Sequence, residues 1–355
     1  MTEAYRQGEM ALRRGEPSTA RPLFQRHLSL QPDDALGWFA LGSTSFFERN
    51  WSAARDAWSR AAELNRDYTI GTLFSPDDIR PFPTAPPKSP ALSLGSEPAH
   101  GRVTVLLACD RAYFQSFGAA LVLSVGEVRP DWRVHLHLAN PTHEDISLLE
   151  RILALVPGLG LSLSHEVLRP EFPTDQARWT YLASMRFLHL SAILDSLENP
   201  GPLLILDADS LFRRSPRALA DWGPGSTWTQ DWDVTVDDSG LFPLGPLWRY
   251  WAACICIAPT KEGRTFANHL SSLTARYLAK PGGLTWMADQ FSLSVSLAAC
   301  EENPGFRSAP WPGIDVRPYV SDPTLALWSL GAPEKFTDPR FTGEIKRLKD
   351  RLALA

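Results

Sequence analysis

Apolar residues along this chain are spaced in two different ways. Through the first seventy positions they recur at steps of three and four, as in Ala54, Ala57, Trp58 and Ala61, which places them on one face of a helix. Beyond residue 100 they gather into short stretches, Val103–Ala108, Val134–Ala139 and Leu203–Leu206, each the length of a strand. Between the runs helical spacing returns. Phe117, Leu121 and Val125 share a face within 114–128, and a further helix is expected over 142–156 before a strand at Leu161–Leu163. Such alternation predicts a mainly parallel sheet covered by helices on both faces, with ligands collecting at the C-terminal ends of its strands.

The helical portion repeats itself at an offset of 34 residues. Gly8 answers to Gly42, Ala20 to Ala54 and Phe24 to Trp58, while Tyr5 falls one place from the position equivalent to Trp38. Pro32 closes the first unit, and Arg66 holds the matching place in the second. The pattern resembles the tetratricopeptide repeat, a pair of antiparallel helices with small residues where they cross and large ones between. Two such units seldom bury a stable core alone, so their ends need a cover. The following domain, a second copy of the chain or a protein held in the groove would each serve.

Residues 1–74 are therefore assigned to a small all-α, tetratricopeptide-like domain. From Ser75 to His100 the prolines at 76, 81, 83, 86, 87, 90 and 98 exclude a long helix or a central strand. Residues 75–100 read as a linker or an extended surface strap, which leaves 101–355 for the α/β domain.

Composition narrows the function classes. A hydrophobic content of 44% over 355 residues is enough to fill a core. The net charge of -5, from 35 basic and 40 acidic residues, gives no long-range pull toward nucleic acid or anionic lipid. Cys109, Cys254, Cys256 and Cys300 lack zinc-knuckle spacing; in a strand Cys254 and Cys256 point to one face as buried thiols. The first 16 residues carry scattered charges rather than a signal core, and no apolar run approaches the length of a transmembrane helix. The expected location is cytoplasmic, with peripheral contact at the inner face of a membrane left open.

The clearest chemistry lies in Leu203-Leu-Ile-Leu-Asp-Ala-Asp-Ser-Leu-Phe212, where Asp207 and Asp209 emerge from a buried strand. Two carboxylates one residue apart repel each other unless a cation sits beside them. Mg²⁺ or Mn²⁺ carrying a diphosphate supplies that cation and takes oxygens from both protein and ligand.

In this context the 100–335 region is similar to glycosyltransferases of the GT-A fold, nearest to the retaining galactosyltransferase and glycogenin group known as family 8. The likeness runs through Ala108-Cys-Asp-Arg-Ala-Tyr113, Tyr181-Leu-Ala-Ser-Met-Arg-Phe187, the Asp207-Ala-Asp209 pair, Trp286-Met-Ala-Asp-Gln-Phe-Ser292 and Trp328-Ser-Leu-Gly-Ala-Pro-Glu-Lys335. It implies a Rossmann-like mixed sheet flanked by helices that binds a nucleotide-sugar donor, a UDP-sugar by preference. Ala108, Asp110 and Tyr113 would border the nucleotide, with Asp110 accepting from the uracil N–H and Tyr113 stacking on the base. Arg186 would stand beside the phosphates and the aspartates. Asp207 would touch the ribose and the metal, Asp209 would ligate the metal, and Lys335 would close over the diphosphate. Asp289 would hold sugar hydroxyls, with Gln290 near the anomeric carbon.

Three departures qualify the likeness. Trp328 stands where the family has a histidine that completes the metal shell, Ala112 replaces a common asparagine, and Trp251-Ala-Ala replaces the family's Asn-Ala-Gly. An acidic, tryptophan-rich stretch holding Trp228, Asp231, Asp233, Asp237, Asp238, Trp248 and Trp251 offers ring faces and carboxylates suited to sugar. The resemblance thus implies a metal-dependent transferase, retaining by preference, acting on a glycan, peptide or protein acceptor. The repeat region would present that acceptor, bind a partner or self-associate. The competing reading is an inactive GT-A-like scaffold. A nucleotidylyltransferase would need a glycine-rich basic loop that 108–113 does not provide.

Overall fold

Four helices open the chain, and three of them start on a side chain that takes up an otherwise orphaned backbone N–H. They are α1 (Glu3–Arg13), α2 (Pro17–Leu30), α3 (Ala35–Phe47) and α4 (Trp51–Leu64), capped by Thr2, Asp34 and Asn50, with Pro17 fitting the first turn of α2. The computed structural model describes residues 1–80, 91–94, 102–168, 171–197, 201–216, 227–231, 250–310, 321–330 and 334–354. The repeat has a physical counterpart in each pair of helices. A Cβ on Gly8 would lie 3.0 Å from the Phe24 ring, and one on Gly42 would lie 2.4 Å from the Trp58 ring. Glycine at each crossing lets an aromatic ring of the partner helix lie against the backbone.

The following part of the chain supplies the cover that the helices need. Phe39, Phe46, Trp58 and Phe74 share a core with Leu273, Tyr277, Phe291 and Val295. The Trp58 ring centroid lies 5.5 Å from that of Phe74 and 5.5 Å from that of Phe291. The joint also contains the start of the segment read as a linker. Two 3-10 helices span Arg66–Leu73 and Pro76–Ile79, and Ser75 and Asp78 cap each other reciprocally. Asp78 is fully buried, where it pairs with Arg276 and accepts from the Tyr277 hydroxyl at 2.8 Å. Farther on, β1 (Ala91–Leu94) forms a sheet edge. Proline excludes a long helix or a central strand from this segment, but it tolerates a first helical turn and a sheet edge.

The sheet domain continues with β2 (Thr104–Asp110), α5 (Arg111–Tyr113), α6 (Ala119–Val128), β3 (Arg133–Ala139), α7 (His143–Leu155) and β4 (Gly160–Glu166). Then come α8 (Asp175–Leu188), α9 (Leu190–Ser196), β5 (Leu203–Leu206), β6 (Ser210–Phe212), β7 (Thr227–Asp231), β8 (Tyr250–Ile257) and α10 (Lys261–Ala279). The chain closes with α11 (Ala288–Glu301), β9 (Ser308–Pro310), β10 (Leu327–Ser329), α12 (Glu334–Thr337) and α13 (Pro339–Ala353). No helix among the described residues is long and apolar enough to cross a membrane.

The main sheet has the order β1-β4-β3-β2-β5-β8-β7-β9. Its centre, β4-β3-β2-β5, is parallel, whereas β1 and β8 run antiparallel to their neighbours, so the sheet is mixed rather than mainly parallel throughout. Side chains alternate between two cores. Val105 and Leu107 join Leu121, Val125 and Leu136 on one face, while Leu106 joins Phe187, Ile193, Ile205, Ile255 and Phe266 on the other. The strand order reverses at β2, with β3 on one side and β5 on the other, and the carboxyl ends of β2 and β5 border the resulting crevice.

Gly42→Ala should destabilise the protein by about 1–3 kcal/mol through overpacking against Trp58, despite the better helix propensity of alanine. Gly343→Ala, on the exposed side of α13 with nothing within 4 Å of its added Cβ, should stabilise by about 0.5–1 kcal/mol. Urea unfolding midpoints of the two variants check both signs.

Candidate functional site

The crevice collects acids from three elements and bases from two. Asp207 stands just past β5, with its N–H donating to the Ala253 carbonyl at 3.0 Å, and Asp209 follows it into β6. Asp289 lies in the first turn of α11. Arg186, near the end of α8, reaches two of these acids at once, with Nη1 2.6 Å from Asp207 Oδ1 and Nη2 2.8 Å from Asp289 Oδ2. Its side chain is only 6% exposed, so these ion pairs are shielded from solvent and are stronger than surface ones.

A second group forms around Asp209. Lys335 Nζ donates to Asp209 Oδ2 at 2.8 Å and to the Tyr113 hydroxyl at 2.5 Å, and that hydroxyl donates to Asp209 Oδ2 at 2.5 Å. The ammonium also lies 5.0 Å from the centre of the Tyr113 ring. Burial, then the Asp209 charge, pushes the Tyr113 phenol well above the usual tyrosine value. Tyr113 therefore stays protonated and able to donate.

Asp207 departs furthest from ordinary carboxylate behaviour. Burial pushes its carboxyl up, Arg186 pulls it down, and Asp209 and Asp289 push it up again, for a net rise to about 6. Three carboxylates thus share two cations, which leaves unbalanced negative charge at the strand ends. Asp207 keeps 32% of its side chain exposed, a side open to an incoming ion. Carboxylate oxygens are the donors that Mg²⁺ and Mn²⁺ prefer, so this set fits such an ion.

The other residues singled out in the sequence are engaged differently. Asp110 caps the turn at α5 by accepting from the Tyr113 N–H at 2.9 Å, and its other oxygen accepts from Arg178 at 2.9 Å. Ala108, in β2, is 9% exposed. Gln290 is buried and accepts from the Ala252 N–H at 2.9 Å, which fixes α11 to β8. Asp289 and Gln290 are 7% and 4% exposed, within the wall of the crevice rather than at its edge. Trp328 packs in the core, opposite Leu211 in the β10–β6 pair, and donates to the Asp322 carbonyl at 2.6 Å. The side chains of Trp228, Asp231 and Trp251, with residues 232–249 that include Asp233, Asp237, Asp238 and Trp248, lie outside the described residues.

The sequence reading missed one cluster. His137, Glu166 and His189 place one ligand atom each within 4.8 Å of one another, two buried histidines and a half-buried glutamate that together could hold a metal ion. A signal for it exists in β3 and β4, where His135-Leu-His137 and Ser162-Leu-Ser164 set polar residues at every second position of buried strands. Arg178, eight residues before Arg186 on α8, was also missed.

No protein-family pattern matches the chain, and no curated protein matches it. Among solved structures the chain is similar to the galactosyltransferase LgtC in complex with donor and acceptor sugar analogs, with 16% identity over 70% of this chain and 95% of that one and a TM-score of 0.44. It is also similar to the apo form of the glycosyltransferase GlyE of Streptococcus pneumoniae TIGR4, with 17% identity, 59% of this chain, 45% of that one and a TM-score of 0.35. For the apo bifunctional glycosyltransferase WbbM the identity is 13%, the coverage 72% and 53%, and the TM-score 0.40. The matched regions span about half the length of the latter two proteins.

The raised carboxyl of Asp207 has a consequence for stability. The fold holds this proton more tightly than the unfolded chain, where aspartate titrates near 3.8, so the group's contribution is fully present below that value and is lost as pH rises through about 6. With divalent ions removed, Asp207→Asn should therefore gain in urea midpoint relative to the native chain as pH rises from about 4 to about 7. A gap that stays constant across that window would count against the assignment.

Proposed function

We propose that the protein is a metal-dependent glycosyltransferase of the GT-A type, using a nucleoside-diphosphate sugar, with a UDP-sugar first among donors. The observation that carries this reading is the meeting of Asp207, Asp209 and Asp289 with Arg186, Lys335 and Tyr113 at the carboxyl ends of β2 and β5. On this reading Asp207 and Asp209 hold Mn²⁺ or Mg²⁺. When bound, that ion supplies positive charge to the leaving diphosphate.

The chain's own residues carry the remaining tasks. Arg186, fixed between two acids, presents a preorganised charge to the phosphates at no reorganisation cost during transfer. Lys335 turns from Asp209 toward the diphosphate as donor and ion arrive, and Tyr113 borders the base while holding its proton. Asp110, steadied by Arg178, accepts from the base, beside Ala108. Asp289 takes sugar hydroxyls, and Gln290 sets the place of α11 next to the anomeric carbon. Closure of the segment carrying Lys335 excludes water from the reacting carbon. Family likeness favours retention of configuration.

The four N-terminal helices are, on this reading, tetratricopeptide-like. Their surface lined by Arg21, Trp38, Leu41, Ser45, Ala57 and Arg60 is the place for a peptide or protein acceptor, or for a second copy of the chain. The expected setting is cytoplasmic, with peripheral membrane contact compatible. Trp328 favours a second reading, an inactive scaffold, because its buried indole takes the position at which the family has a metal-binding histidine.

Calorimetry with a panel of nucleoside-diphosphate sugars, with and without Mn²⁺, separates the two readings. The transferase reading expects metal-dependent binding of a uridine donor, lost in Asp209→Asn with the fold intact by circular dichroism. No binding across the panel supports the scaffold. Lys335→Met should lower the rate of metal-dependent donor hydrolysis by about 10²-fold or more, in line with the loss of one preorganised charge-stabilising group. A rate within a few-fold of the native chain would remove Lys335 from the site.

A further inference from the structure

The face of β3 and β4 that packs under α8 carries a line of polar side chains inside an otherwise apolar layer. Parallel register sets His135 beside Ser162, His137 beside Ser164 and Ala139 beside Glu166. His135, His137 and Ser164 are all but fully buried. The hydroxyls and imidazoles form a continuous chain: Ser162 Oγ to His135 Nδ1 at 2.8 Å, His135 Nε2 to Ser164 Oγ at 2.9 Å, and Ser164 Oγ to His137 Nδ1 at 2.8 Å. The chain ends on His137 Nε2, which faces Glu166 Oε1 at 3.4 Å. His189 Nε2, from the C-cap of α8, faces the same oxygen at 3.4 Å.

That spacing is informative. At 3.4 Å both contacts are longer than a normal N–H···O bond. It is also about the separation of two ligand atoms on a tetrahedral zinc, where bonds of about 2.0–2.1 Å place neighbouring donors roughly 3.3 Å apart. The outer partners are already in position. Ser164 fixes the Nδ1 side of His137, and the Tyr181 hydroxyl donates to Glu166 Oε2 at 2.9 Å, leaving Oε1 to face the two imidazoles.

We propose that His137, Glu166 and His189 bind a divalent transition metal, zinc before others, at a site separate from the Asp207–Asp209 pair. Two imidazoles and one carboxylate are a donor set for zinc and its neighbours in the first transition row, whereas Mg²⁺ and Mn²⁺ prefer oxygen. Three protein ligands leave a fourth position for water. The ion would tie the C-terminal end of α8 to β3 and β4, and α8 carries both Arg178, which holds Asp110, and Arg186, which holds Asp207 and Asp289. Its role is to set the position of α8, and the proposal stands whether or not the chain transfers sugar.

The test uses the full-length chain, stripped of metal by chelator and dialysis and then titrated with Co²⁺. The expected result is one equivalent of Co²⁺ with the visible absorption of a four-coordinate site, displaced by Zn²⁺, and a rise in Tm on adding Zn²⁺. His189→Gln and the partly exposed Glu166→Gln, each checked for native circular dichroism, should weaken Co²⁺ binding more than about tenfold and lose the Zn²⁺-dependent rise in Tm. Asp209→Asn should keep both signals, which separates this site from the proposed donor site. The absence of the absorption band in the native chain, its survival in both cluster variants, or its loss in Asp209→Asn would each overturn the proposal.

Discussion

Arg186 is the pivot of the crevice. A guanidinium this deeply enclosed is tolerable only because Asp207 and Asp289 both face it, and each acid in turn would be costly there without it. The three residues come from α8, from the end of β5 and from α11, so one charge balance fixes how three separate elements meet. Truncating Arg186 would leave both acids without their shared cation, whereas truncating either acid would leave the guanidinium with one partner. The lysine–tyrosine–aspartate group around Asp209 is a looser counterpart, since Lys335 arrives from α12 near the end of the chain.

The same helix that brings Asp289 to Arg186 also brings Phe291 to Trp58. Helix α11 is buried along nearly its whole length, its first turn facing the crevice and its Phe291, Val295 and Ala299 facing the N-terminal helices. Gln290 locks it to β8 through the Ala252 N–H. Packing at the N-terminal helices and charge at the crevice therefore act on one helix, only two residues apart. A shift of α11 by a fraction of a turn would disturb both.

Much of this was legible in the sequence because it depends on local pattern. Glycine facing an aromatic ring recurs at 8/24 and 42/58 and marks the helical pairs. Short strand-length stretches rich in apolar residues mark β2, β3 and β5, and the aspartates after β5 fall where an α/β sheet gathers ligands. Tyr113, Arg186, Asp207, Asp209, Asp289 and Lys335 do meet, although their separation along the chain hides which acid pairs with which base. The antiparallel course of β8 has no local signal, because a strand buried on both faces reads the same in either direction. Proline content marked an interruption at 75–100 but not the buried Asp78, whose partners Arg276 and Tyr277 lie about 200 residues away. His137, Glu166 and His189 escaped notice because the alternating polar residues of β3 and β4 do not show on their own that a helix cap brings His189 beside them.

The meeting of Trp58 with Phe291 gives the chain an unusual kind of boundary. Sequence order suggests a helical segment tied by a proline-rich stretch to a separate α/β body, yet the hydrophobic layer runs straight across the division. Each half carries part of a core that only the other completes. A cut at the proline-rich stretch would leave two sticky faces instead of two clean ends, and a transplant of the helices onto another scaffold would carry Trp58 without the Phe291 ring that shelters it. Parting the halves would turn one buried layer into two exposed apolar patches, each of the kind that drives aggregation.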